Sequence, residues 1–224
     1  MDLERAFTFF TKDPDWLKKL VIAGVLTLTG IGGIAVFGWL AEVARRAAQQ
    51  EDEFLPEWDQ LGDYFLTGLK FMGVTLIWSS PAIVLTIVFS IIPAGVLFAM
   101  PESDQGIAIA MISIFSICFW GIFMIYILAV NFLIPPLWVP VAEGIPFSEL
   151  LNPRMAWHTF RANAGGFIVA VLISSLVGSL LGMAGVLLCG VGIFLTVVAA
   201  QLIYAHLIGQ ATRQARETLE RRTD

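Results

Sequence analysis

Four groups of residues in this sequence have the type and spacing to do chemistry. The first is Gly30-Ile-Gly-Gly-Ile-Ala35, which matches the dinucleotide pattern G-x-G-x-x-A, with acidic residues some 20 positions later. That pattern works only where a strand precedes it and a helix follows, in a βαβ unit. Here it lies inside an apolar run without such a unit, so nucleotide binding is not expected. The second group is His158 and His206, the only histidines. A structural zinc site takes four Cys or His ligands at local spacing, and none is available, so no metal site is expected. A lone histidine can ligate a haem or chlorophyll-type ring, which makes His206 a weak candidate cofactor ligand. A hydrogen-bonded histidine near the membrane interface is the preferred reading. The third group, Ser79-Ser80 and Ser174-Ser175, lacks the base that an activated nucleophile needs. The fourth is the set of polar residues inside apolar runs: Thr75, Thr86, Asn131 and Gln201. Ion-coupled transport calls for ionisable groups at such depth, and these residues offer only helix–helix hydrogen bonds. No catalytic residues and no cofactor are expected from these groups, and a bound lipid is allowed.

The elements that carry these residues are set by charge segregation. Hydrophobic residues make up 58% of the 224 and charged residues 14%, against roughly 45–50% and about 25% in ordinary globular proteins. No Asp, Glu, Lys or Arg occurs in 20–41, 71–101, 105–142 or 162–212, runs of 22, 31, 38 and 51 residues. A spanning helix needs about 20 apolar residues, so the chain reads as an all-α, multi-pass integral membrane protein. A net charge of −5 without a basic cluster excludes nucleic acid as a partner. Cys118 and Cys189 read as small buried hydrophobes rather than a disulfide or redox pair. The N-terminus is acidic before it is basic and has no small-residue cleavage site, so it reads as retained rather than as a signal peptide.

The longest run is too long for one crossing and is expected to divide near Gly182-Met-Ala-Gly185, giving helices near 164–183 and 187–211. Helices near 62–92 and 106–134 are expected in the middle, with a kink at Pro81 and a stop at Pro135-Pro136. All 13 Lys and Arg avoid 93–105 and 182–186, so these two connections are expected to face outward and both termini to be cytoplasmic. The run 20–41 has Lys18-Lys19 before it and Arg45-Arg46 after it. Two cytoplasmic flanks imply a short or re-entrant hairpin, turning at Gly30, Gly32 and Gly33. Its arms of about 12 residues would each reach roughly 18 Å, short of the ~30 Å hydrocarbon core. The alternative is one long tilted helix with the N-terminus outside.

Asp13-Pro-Asp-Trp16, Leu55-Pro-Glu-Trp58 and Asn152-Pro-Arg-Met-Ala-Trp157 each precede an apolar run. They suggest an in-plane cytoplasmic helix followed by a membrane hairpin, used three times, or simply a recurring interfacial start signal. Trp58, Leu61, Phe65 and Leu69 follow helical spacing, as do Phe147, Leu150, Leu151 and Met155. Trp16, Trp58, Trp157, Arg154 and Arg161 are the expected interface anchors. Ser174, Gly178 and Gly182 form a small-residue stripe at four-residue spacing, suited to helix packing within the chain or against a partner. A dense aromatic set, Phe71, Trp78, Phe89, Phe115, Phe119, Trp120, Phe123 and Tyr126, marks the middle hairpin.

A family resemblance rests on Asp2-Leu-Glu-Arg-Ala-Phe7, Asp13-Pro-Asp-Trp-Leu-Lys-Lys19, Gly38-Trp-Leu-Ala-Glu-Val-Ala-Arg-Arg46, Leu55-Pro-Glu-Trp-Asp59 and Gly68-Leu-Lys70. These resemble a prokaryotic membrane family catalogued as domain of unknown function 4013, over roughly residues 2–75, with Trp39 where the family usually has tyrosine. The resemblance implies a small multi-pass bacterial or archaeal protein and no reaction. The expected architecture is one membrane domain, 1–224, with six membrane segments in three helical hairpins and amphipathic in-plane helices. Its parts are an interfacial helix and short hairpin (1–48), a second hairpin (53–134), an amphipathic helix and third hairpin (146–216), and a cytoplasmic tail (217–224). The expected function is a non-enzymatic accessory or structural subunit in the cytoplasmic membrane, packing against a larger membrane complex or organising lipid. Its partners would be membrane lipids and other membrane protein subunits. The alternative is a transporter or carrier of a lipid-like or small apolar molecule.

Overall fold

The structure is a computed structural model that describes residues 1–51, 54–99, 101, 105–187 and 191–223. It is 90% helix, with no strand among the described residues. Ten α-helices follow in order: α1 (Leu3–Thr8), α2 (Trp16–Leu28), α3 (Ile31–Gln49), α4 (Leu61–Ala99), α5 (Gln105–Leu133), α6 (Trp138–Ala142), α7 (Phe147–Leu150), α8 (Pro153–Ala162), α9 (Ala164–Leu187) and α10 (Val191–Thr223). The chain divides into two compact units, Met1–Val74 with Phe132–Asp224, and Thr75–Asn131.

Local chemistry explains most helix ends. The Asp2 carboxylate accepts from the Arg5 N–H at 3.0 Å and caps α1. Asn152 caps α8, accepting from the Arg154 N–H at 3.0 Å, with Pro153 in the first turn where its missing N–H costs nothing. The break between α2 and α3 falls at Thr29-Gly30. Gly30 has φ 71°, a conformation that side chains with a Cβ resist, and a Cβ on Gly32 would run into the Leu26 carbonyl oxygen. Thr29 Oγ1 accepts the Gly32 N–H at 2.9 Å and closes the turn. A Cβ on Gly33 would make only an ordinary contact, with Thr27 Cα at 4.0 Å.

In the larger unit α10 is the central helix, packed by α9, α3, α2 and α8. Over half of its apolar window, 56%, is buried, and Leu202, Leu207, Ile208, Ala211 and Ala215 are fully inside. Two close helix approaches depend on missing side chains. A Cβ on Gly209 would meet the Ala44 carbonyl of α3. Gly38 and Gly68 interlock α3 with the start of α4, because a Cβ on either would overlap the other helix's backbone oxygen, Tyr64 O or Ile34 O.

The smaller unit is the far part of α4 and most of α5. Phe89 stacks on Phe119 (4.0 Å) and on Phe115 (5.7 Å), and Phe119 continues to Phe123 (5.8 Å). The Tyr126 hydroxyl donates to the Trp78 carbonyl. Most other side chains point outward: only 6% of the apolar window of each helix is buried. An outward-facing apolar surface of this extent suits lipid, where burial inside the protein is not needed.

Several expectations change. Among the described residues four helices are long and apolar enough to cross a membrane, within Trp58–Ala99, Gln105–Ala142, Ala164–Leu187 and Gly192–Arg222. Helix α9 continues through Gly182 and Gly185 to Leu187, since glycine costs only about 1 kcal/mol in a helix and no proline is present to stop it. Helix α10 does not end near 211 but runs to Thr223. Helix α4 continues through Pro81 and Pro93 to Ala99. The expected in-plane helix around Trp58 is a single 3₁₀ turn, Trp58–Gln60, leading straight into α4. The stretch around Phe147–Met155 is broken at Leu151-Asn152 into α7 and α8. Phe71 leaves the aromatic set of the middle hairpin and packs instead on Trp138 at 5.1 Å. Cys118 is exposed rather than buried. The expectation for Cys189, and most of the expected outward turn at 101–105, lie outside the described residues.

Candidate functional site

The first two Pro–Trp motifs, far apart in sequence, meet in one buried polar knot. Asp13 leads into α2 and accepts three hydrogen bonds: from Lys19 Nζ at 2.8 Å, from the Asp15 N–H at 2.8 Å and from the Leu55 N–H at 2.9 Å. Lys19, one turn into α2, also donates to the Leu55 carbonyl at 3.0 Å and pairs with the Glu57 carboxylate. The two charged side chains are 2% and 4% exposed, whereas Glu57 is 68% exposed. Burial alone would raise the Asp13 pKa, but the bonds from Lys19, Asp15 and Leu55 hold it below the ordinary carboxylate value. Burial alone would lower Lys19, and the bonds to Asp13 and Glu57 hold it above the ordinary amine value.

Aromatic rings close the knot. Trp39 of α3 is fully buried, and its indole N–H donates to the Pro56 carbonyl at 3.0 Å. Trp58 stacks on Trp39 with centroids 4.7 Å apart and donates to the Lys19 carbonyl at 3.2 Å. The Tyr64 hydroxyl donates to the Glu57 carbonyl at 2.9 Å. Asp13, Lys19, Trp39 and Tyr64 thus satisfy backbone groups of the loop 54–57, which has no helix of its own to do so, while Trp58 satisfies the Lys19 carbonyl of α2. Beside the knot lies a polar cleft of about 310 Å³ lined by Gly38, Glu42, Arg45, Gln60, Asp63, Tyr64, Thr67 and Ala142. Glu42 is held by Arg45 at 2.6 Å and Arg46 at 3.0 Å. Burial pushes its pKa up, and the two guanidinium partners more than offset that, so it lies below the ordinary value. The cleft therefore offers fixed negative charge, hydroxyl and amide groups to a small polar group.

A second buried polar group joins the N-terminus to α10. The Gln210 side chain accepts from the Asp2 N–H at 2.7 Å and donates to the Asp2 carbonyl at 2.9 Å, which fixes its amide orientation. Its Nε2 also lies 3.1 Å from His206 Nδ1, so Nδ1 is the acceptor and the ring proton sits on Nε2. Phe9 stacks on the His206 ring at 4.3 Å. His206 is fully buried, with one ring face covered by this stack.

The remaining expected site residues are scattered. Trp16 is half-buried against Phe10 at 5.8 Å. Trp157, Arg154 and Arg161 lie on the exposed side of α8. A Cβ on Gly178 or Gly182 would meet nothing within 4 Å, whereas the glycines seated in helix contacts, Gly38, Gly68, Gly185 and Gly209, have no such room. Ser174 Oγ is buried without a hydrogen-bond partner. Asn131 folds its amide back to the Ile127 carbonyl at 3.0 Å. The knot itself was not foreseen as a unit. Its signal was present in the repeated Pro–acid–Trp motif, since a charged residue and a tryptophan beside a proline recur where a loop needs outside hydrogen-bond partners.

A family model described as a protein of unknown function (DUF4013) matches residues 21–190. The chain belongs to that family. No curated protein and no solved structure matches it. The matched region contains Trp39, Leu55, Trp58, Gly38 and Gly68, and begins just after Lys19.

Proposed function

We propose that this protein is a non-enzymatic accessory or structural subunit of a larger assembly in the prokaryotic cytoplasmic membrane. In this reading α2 and α3 form a short hairpin that enters and leaves from the cytoplasmic side. With α4, α5, α9 and α10 they make six membrane segments in three hairpins, with both termini inside. Helix α2, 13 residues long, reaches about 20 Å at 1.5 Å per residue and is too short to cross. The distribution of Lys and Arg supports the orientation.

The observation that carries the subunit reading is the empty space outside Gly178 and Gly182. Small residues at four-residue spacing let another helix approach closely, and among the described residues no helix takes that place. The outward apolar surface of α4 and α5 adds a second face on which membrane partners or lipid would pack. A lipid-carrier reading has one specific observation in its favour: an apolar groove of about 480 Å³ along the smaller unit, lined by residues including Phe89, Pro93, Phe115 and Phe119.

Purification from the native membrane in mild detergent, with mass spectrometry of everything that co-migrates, separates the readings. A stoichiometric membrane protein supports the subunit. A lone chain carrying an apolar molecule supports the carrier. Topology is tested by introduced cysteines: one at Ala184 should label from outside, and one at Gln49 should not. Outside labelling at Leu3→Cys would refute the short hairpin.

A further inference from the structure

Helix α8 is amphipathic in an uncommon way. Ala156 faces the protein and is 1% exposed, and Phe160 packs against Phe132 and Phe167, each at 6.1 Å. Asn163 ties the end of α8 to α10, donating to the Ala211 carbonyl at 3.0 Å and to Gln214 at 3.2 Å, and its Oδ1 accepts the Gly166 N–H at the start of α9. The helix is therefore fixed along its inner face and at its C-terminal end. Its opposite face carries Arg154, Trp157, His158 and Arg161, all exposed, at helical spacing i, i+3, i+4 and i+7.

Among the described residues no carboxylate pairs with this face. Helix α8 contains no acidic residue, and neither arginine has an ion-pair partner among the described residues. By contrast Arg45, Arg46, Arg213 and Arg216 all face carboxylates. Arg154 also sits in the first turn, where the helix dipole disfavours a cation. A large indole, 52% exposed, lies between the two guanidinium groups along the helix. Two unpaired planar donors flanking an exposed tryptophan match a surface of phosphate groups over an apolar layer. Guanidinium binds phosphate bidentately, and indole prefers the headgroup level.

We propose that this face of α8 binds the phosphates of anionic phospholipid headgroups in the cytoplasmic leaflet. The two arginines are seven residues apart, about 10.5 Å along the axis, so each takes the phosphate of its own lipid. Trp157 lies between the headgroups, with its ring toward the acyl region. The proposal rests on the reading of the chain as a membrane protein with α8 on the inside, and makes α8 the element that selects which lipids surround it.

The test uses the full chain in detergent, titrated with phosphatidylglycerol or phosphatidylcholine and observed by native mass spectrometry. The wild type is compared with R154Q/R161Q and with K12Q/K18Q, which removes the same charge from exposed positions elsewhere. At about 1 kcal/mol per surface arginine, R154Q/R161Q should lose roughly 30-fold in retention of phosphatidylglycerol. K12Q/K18Q should retain it, and phosphatidylcholine should show no difference. An unchanged thermal transition in R154Q/R161Q establishes that the loss is not unfolding. Equal loss in both variants, or equal retention of both lipids, overturns the proposal. Displacement of phosphatidylglycerol by inorganic phosphate at comparable concentration overturns it in favour of a free-anion site. Carbonate extraction separates the two levels: a chain released into the soluble fraction refutes the membrane reading itself, whereas a chain kept in the pellet without lipid selectivity refutes only the role of α8.

Discussion

Replacing Lys19 by methionine removes the one cation facing Asp13 in the knot. The carboxylate is left 2% exposed with the Asp15 and Leu55 N–H groups as its donors, and the Leu55 carbonyl loses the ammonium that sat 3.0 Å away. Removing one partner of a buried ion pair costs about 3–5 kcal/mol, because an uncompensated charge stays behind. For a chain of this length that is a drop in Tm of roughly 6–20 °C, read by thermal unfolding in detergent. The reasoning makes a less obvious demand on the double variant. D13N/K19M should be more stable than K19M alone, since asparagine carries no charge and its side-chain oxygen still accepts a backbone N–H. A K19M variant within about 1 kcal/mol of wild type would refute the account, given the cost expected for a stranded buried charge. So would a double variant that is worse than K19M.

The pH dependence gives a second handle on the same pair. Asp13 has its pKa lowered in the folded protein, so its contribution is present above the unfolded carboxylate value and is lost as pH falls through the lower folded value. Lys19 has its pKa raised, so its contribution is full below the unfolded amine value and is lost as pH rises through the higher folded value. Between these limits the pair's contribution is flat. In K19M the acid-end dependence weakens, because only the Asp15 and Leu55 N–H bonds then oppose burial. Burial, the largest influence on Asp13, is then no longer opposed by the ammonium, and protonation relieves the stranded charge. The deficit of K19M should therefore shrink as pH falls, while the wild type loses stability over the same range.

Gly38→Ala or Gly68→Ala puts a methyl group into a backbone carbonyl of the facing helix and should cost about 1–3 kcal/mol or more in thermal stability. Gly178→Leu meets open space, so the isolated chain should unfold as wild type does. Any defect should appear only in assembly, and more than for Val177→Leu; equal effects on assembly would remove the partner face. Gln210→Leu removes both bonds to the Asp2 main chain and the bond to His206, a loss of about 2–3 kcal/mol at ~1 kcal/mol each. Faster hydrogen exchange over α1, without change in α4 or α5, is the expected readout.

What could be read in advance followed from one-dimensional signals. The all-helical class and the four long apolar helices came from charge-free runs, because lipid forbids unpaired charge and unpaired backbone alike. The break at Gly30 was legible because a turn with φ 71° needs glycine. The continuation of α9 past Gly182 and Gly185 was not. Glycine permits a turn without requiring one, and Gly185 is used instead for close contact with Ile193 and Thr196. The destination of Trp58 was hidden for a different reason. A tryptophan at a helix start reads as an interface anchor, and only the fold shows Trp39 stacked on it and the Lys19 carbonyl within reach. Pairings between segments 36 to 42 residues apart, such as Lys19 and Asp13 with Leu55, leave no periodicity to find.

The knot also bears on how the short first hairpin proposed above would be held. A segment that turns back within the membrane carries unsatisfied backbone at its tip and gains less apolar burial than a full crossing, so its position must be held from its ends. Here α2 is fixed at its start by the Asp13–Lys19 pair, and α3 by Trp39 on the Pro56 carbonyl and by Gly38 against Gly68. The first two anchors meet the segment that leads into α4, and the third meets α4 itself. Of these anchors Gly38, Trp39, Leu55, Trp58 and Gly68 lie within the family match, whereas Asp13 and Lys19 precede it. On the proposed short-hairpin reading these anchors hold α2 and α3 in place, and K19M should loosen α2 before it affects any other helix.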